Sequence, residues 1–133
     1  MLLATTMGEE KSAVKVCGPD DLAEAQGLVR RIPVGEKVMD SILSLVRAAR
    51  PDAEHDGGVK DMIAWGPGPR ASQALMLAVR ARALLDGRLA PSTDDVVALA
   101  GPVLRHRMAL NFSARAEGAT TAGVIERLCQ SLF

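Results

Sequence analysis

Almost half of this chain is hydrophobic (48%), yet only 2% is aromatic: Trp65, Phe112 and Phe133, with no tyrosine. A core without aromatic side chains has to be filled by Ala, Leu, Val and Met. That is the composition of close-packed helices rather than of a β-sandwich. At 133 residues the chain holds one compact domain and not two full-sized ones. The expected fold class is therefore all-α.

The helical pattern divides into about four to five helices. Asp20 and Asp21, after Gly18-Pro19, load the first turn of a helix through Arg31, with Leu22, Ala25 and Val29 at helical spacing. Ile32-Pro33 interrupts it, because the residue before proline avoids the helical region. A second helix is predicted from about Glu36 to Arg50, with Val38, Ile42, Leu45, Val46 and Ala49 on one face. Residues 52–68 read as a loop with one helical turn near Lys60–Ala64. A third helix opens at Pro69, presents an alanine face through Ala71, Ala74, Ala78 and Ala81, and ends at Gly87. Ser92 caps a fourth, which Pro102 should divide from the segment Val103–Leu110. Thr120 or Thr121 caps a last helix carrying Val124, Ile125, Leu128 and Leu132. The first residues, Met1 to Thr6, read as a short extended segment, and strand alternation appears nowhere else.

Charge narrows the function classes. Sixteen basic and sixteen acidic residues cancel, which speaks against a general nucleic-acid binder, as does the shortage of stacking aromatics. The balance hides a division. Residues 1–66 carry eight basic and eleven acidic groups, for −3, while residues 67–133 carry eight arginines and five acids, for +3. Arginine suits bidentate recognition of phosphate or carboxylate. Cys17 and Cys129 are far apart and outside any CxxC pattern, and with only His55 and His106 beside them no structural zinc site is expected. They read as reduced thiols of a cytoplasmic protein. The N-terminus lacks a basic leader, and no apolar run approaches the roughly 20 residues of a membrane span.

The chain shows no GxxxxGK[ST] phosphate loop, GxSxG, HExxH or GxGxxG. The pairs Asp20/Asp21 and Asp94/Asp95 stand at helix starts, where they complement the helix dipole. Two segments stand apart. Trp65-Gly66-Pro67-Gly68-Pro69-Arg70-Ala71-Ser72 is a stiff turn that delivers Arg70 into the first turn of the third helix. A cation there opposes the helix dipole unless an anion sits beside it; with one, the helix end and the guanidinium together make a phosphate sensor. The alternative is an arginine lying in solvent at a surface turn. Arg105-His106-Arg107 reads either as a basic turn that offsets a helix C-terminus or as a contact with an adjacent domain or subunit.

The ordered set GPGPRASQALMLAVRARALLDGR, then APSTDDVVALAGPVLRHRMAL, resembles the C-terminal lid domain of MoxR-family AAA+ ATPases. The family's G-x-x-P-R-A turn, A-L-L-[DE]-G-R helix end, P-x-D-V helix and V-L-x-H-R segment occur here in sequence, and AQGLVRRIPVGEKV fits the preceding lid helices. The resemblance covers residues 17–133 and makes residues 1–16 a remnant of the end of the α/β core. It implies a small helical bundle in which Arg70 is the sensor-2 arginine, reaching toward the γ-phosphate of ATP held by that core, with Gly66, Pro69 and Ala71 around it. It further implies ATP and Mg2+ in the full-length protein, no metal site in the lid, a homo-oligomeric ring, contacts with the core and with neighbouring subunits, and a chaperone-like role toward client proteins. Gly68 stands where the family frequently has a serine, so the hydroxyl of that position is missing here. Without the core's Walker motifs, this stretch alone is expected neither to bind ATP tightly nor to hydrolyse it. The competing reading is a stand-alone helical interaction module.

Overall fold

A computed structural model of the chain describes residues 14–54 and 58–133. The expected extended segment at Met1–Thr6 lies outside them, as does His55. Among the described residues six helices form: α1 (Pro19–Arg31), α2 (Glu36–Ala48), α3 (Pro69–Leu85), α4 (Thr93–Leu104), α5 (Phe112–Ala116) and α6 (Thr121–Leu132). The all-α expectation holds, with one helix more than expected. The addition is the single turn α5, whose N-cap Asn111 accepts from the Ala114 amide at 2.9 Å.

The core follows helical periodicity. On α2 the buried residues include Val38, Ile42, Leu45 and Val46, with Ala49 just beyond its end. They meet Leu75 and Val79 of α3, Val96 and Leu104 of α4, and Val124 and Leu128 of α6 in one cluster. On α3 the inward row is Ala71, Leu75, Val79 and Ala83. The alanine face anticipated from Ala74, Ala78 and Ala81 is only half-buried, because successive steps of four keep the large residues Leu75 and Val79 under the neighbouring helices. Helix α1 packs against α3 without burying a single residue; Leu22 and Leu28 stay exposed. It is fixed in part by Arg80 of α3, whose Nη1 donates to the Arg30 carbonyl at 3.3 Å.

Two expectations are corrected. The helical turn expected near Lys60–Ala64 forms but stops at Met62. After a 3-10 turn at Lys60–Met62, strand β1 (Ile63–Trp65) pairs antiparallel with β2 (Ala109–Leu110), Ile63 opposite Leu110 and Trp65 opposite Ala109. Strands this short leave no alternation to read. Pro102 does not divide α4, which runs on to Leu104. Pro102 and Ala98 both lie on the exposed face, so the carbonyl that loses its partner is left to water, and only the last turn follows.

The end of α3 explains a motif. Gly87 takes φ 71°, and the Gly87 and Arg88 amides donate to the Leu84 and Ala83 carbonyls at 3.0 and 2.8 Å, a Schellman closure. That reversal carries Arg88 back over the start of α4. No described helix is long and apolar enough to cross a membrane.

Candidate functional site at the start of helix α3

Strand β1 leads directly into the turn that carries Arg70. Gly66 is pressed against the end of α2: a β-carbon there would lie on the Ala49 carbonyl oxygen and 2.8 Å from the Arg50 Cα. Only glycine permits this approach, and it fixes where the chain leaves the sheet. Pro67 is buried, while Gly68, Pro69 and Arg70 are exposed. Gly68 is the N-cap, with φ −89° and open space around it. Ala71 is 1% exposed and anchors the turn in the core. Of the four residues expected at the site, Pro69 and Arg70 therefore face outward, and Gly66 and Ala71 hold the turn from within.

The electrostatics of this helix start differ from those of the others. Among the described helices, α1, α2 and α4 carry acidic residues in the first turn, and α5 and α6 have side-chain caps from Asn111 and Thr120. Helix α3 has neither. Pro69 has no N–H, and the Ala71 amide turns back to the Gly68 carbonyl at 2.9 Å, which leaves the Arg70 amide for an external acceptor. The helix end thus keeps about half a positive charge. Arg70 adds a full one, and no carboxylate among the described residues pairs with it. Beside the turn lies a cleft of about 210 Å³ lined by Leu43, Val46, Arg47 and Arg50 of the α2 region and by Pro69 and Ser72. Arg50 there is held by Asp52 at 3.1 Å.

A second charged group was only half legible. Asp95 does cap, accepting from the Ser92 amide at 2.8 Å. It is also 2% exposed and held by Arg88 through two bonds of 2.7 and 2.8 Å and by Arg82 at 3.1 Å. The Arg88 guanidinium above all pulls its carboxyl from the ordinary 3.8 down to about 2, against the opposing effect of burial. The signal in the sequence was the Gly87 reversal, which alone can bring Arg88 onto the next helix.

The family model of the AAA lid domain matches residues 56–128. The chain belongs to that family: it is the helical lid of an AAA+ ATPase. Within the family it is of the MoxR type. It is 31% identical over 121 residues to the chaperone MoxR1 of Mycobacterium tuberculosis, covering 90% of this chain and 32% of that protein. It is 28% identical over 117 residues to the uncharacterised protein YeaC of Bacillus subtilis, covering 88% of this chain and 34% of that one. The crystal structure of a provisionally assigned ATPase from Cytophaga hutchinsonii superposes with a TM-score of 0.87 at 26% identity, over 97% of this chain and 39% of that one. The chain thus spans about a third of the length of the curated relatives it matches.

Proposed function

We propose that this lid senses the terminal phosphate of ATP bound on an α/β core, with Arg70 as the sensor-2 arginine. The observation that carries the reading is the uncapped, acid-free start of α3 with the exposed, unpaired Arg70 upon it. This chemistry fits a phosphate group: a guanidinium, a free amide and a helix dipole all favour a negative oxygen. The same positive helix end and guanidinium repel a cation such as Mg2+. Metal ligands would come from the core. ATP supplies the γ-phosphoryl group whose departure removes the charge that Arg70 holds.

From this follows a division of labour. Arg70 rewards the triphosphate over the diphosphate, Pro69 and Gly66 fix its position, and the rigid α3 passes the difference to the rest of the lid. In a full-length MoxR-type protein, lid orientation would then follow nucleotide state, in an oligomeric ring with a chaperone-like role toward cytoplasmic client proteins. The test is nucleotide affinity in the protein that joins this lid to its core. Arg70→Ala should weaken ATP at least about tenfold while leaving ADP within about twofold, the size of one lost charge-assisted contact. Equal effects on both nucleotides would return Arg70 to a surface turn.

A further inference from the structure

The basic triplet Arg105-His106-Arg107 plays no part in that scheme, yet the sheet sets it beside the most unusual side chain in the molecule. Trp65 is the only tryptophan and is 54% exposed. Strand pairing puts it opposite Ala109, and at most about 7 Å of backbone separates Arg107 from Ala109. Because the strands are antiparallel, the triplet enters the sheet at the edge from which Trp65 leaves it. Arg105 and His106 are exposed and Arg107 half-buried. Among the described residues no carboxylate pairs with any of the three; the Arg107 Nε donates instead to the His106 Nε2 at 3.1 Å.

A basic turn that merely offsets the end of α4 does not account for this. That helix end carries about −0.5 charge, and two arginines exceed it by about 1.5 even with His106 neutral. The surplus lies just before Ala109, the strand partner of the exposed Trp65. We propose that Trp65 and the Arg105–Arg107 triplet form a docking surface for an acidic segment of a partner protein. Two facts choose the occupant. Guanidinium groups pair with carboxylates in planar, bidentate geometry, and tryptophan and arginine are the side chains that most often carry interface energy. A small anion would satisfy the arginines and leave the indole in water. A segment with carboxylates flanking an apolar side chain satisfies both. Nucleic acid is the poorer match, because the chain carries as many acids as bases and offers a single indole for stacking.

The test needs only this chain, with no nucleotide, so its outcome is independent of Arg70. A short glutamate peptide interrupted by two leucines is titrated into the protein. Binding is read from Trp65 emission, which has no other tryptophan beneath it, and from the anisotropy of the labelled peptide. Saturable binding is expected, absent for the same peptide with glutamine in place of glutamate. Reversing both charges (Arg105→Glu with Arg107→Glu), with the fold checked as intact by circular dichroism, should weaken it at least about tenfold. Trp65→Ala should weaken the anisotropy response as well. No saturable binding, undiminished binding to the charge-reversed protein, or equal affinity for single-stranded DNA would each overturn the proposal.

Discussion

Arg88 holds the buried Asp95 with both terminal guanidinium nitrogens, at 2.7 and 2.8 Å, and so locks the end of α3 to the start of α4. The contact joins two motif pieces, the helix-ending Gly-Arg and the Asp of the next helix, that are seven residues apart. Replacing Asp95 by Ala removes an N-terminal cap and leaves Arg88 with Asp86 alone, at 2.8 Å. Because Arg82 and Arg88 are partly exposed, at 45% and 37%, the loss falls below that of a fully buried pair. An unfolding free energy lower by about 2–3 kcal/mol is expected in urea titrations. A loss under about 0.5 kcal/mol would mean the cluster is only surface decoration.

The same carboxylate sets a pH dependence. Its folded value lies near 2, below the ordinary 3.8, so the unfolded chain takes up the proton first as pH falls. Asp95 therefore stabilises the fold fully above about pH 4, and that contribution is lost as pH drops toward 2. Thermal melts of Asp95→Asn should lie below the wild type at pH 7 and converge with it between pH 4 and 2. Parallel curves across that window would contradict the assignment.

The two glycines of the Arg70 turn should behave oppositely. At Gly66 a methyl group meets the backbone of Ala49 and Arg50, so Gly66→Ala should cost about 1–3 kcal/mol. Gly68 has open space and a negative φ. Gly68→Ser supplies the hydroxyl cap that α3 lacks and should stabilise by a few tenths to about 1 kcal/mol. Chemical denaturation of both variants checks the pair.

Arg70 should be unfavourable to the folding of the isolated lid, since it opposes the helix dipole without a partner. Arg70→Glu is expected to raise the stability of this chain by about 0.3–1 kcal/mol at low salt, with the gain shrinking as salt is added. A destabilised variant would show that Arg70 has a structural partner.

How much of this was legible depended on whether the cause was local. The face Val38, Ile42, Leu45, Val46 and Ala49 was readable because burial on α2 follows the helical period directly. The cap at Thr120, which accepts from the Gly123 amide at 3.1 Å, was readable because capping involves neighbours in sequence. Arg70 stood out because a cation at a helix start breaks a rule. The strands were not readable: Trp65 and Ala109 meet only through tertiary folding. Nor was the second role of Asp95, since its partners depend on the turn at Gly87. On α3 the alanines drew attention away from Leu75 and Val79, which a strict four-residue step would have selected.

The central claim is that Arg70 reads nucleotide state for an AAA+ core. It is tested most directly by steady-state ATP turnover of the protein that joins this lid to its core, wild type against Arg70→Ala, with circular dichroism and oligomeric state measured alongside. The account predicts turnover reduced at least about tenfold with fold and assembly unchanged. Wild-type turnover in the variant would contradict it.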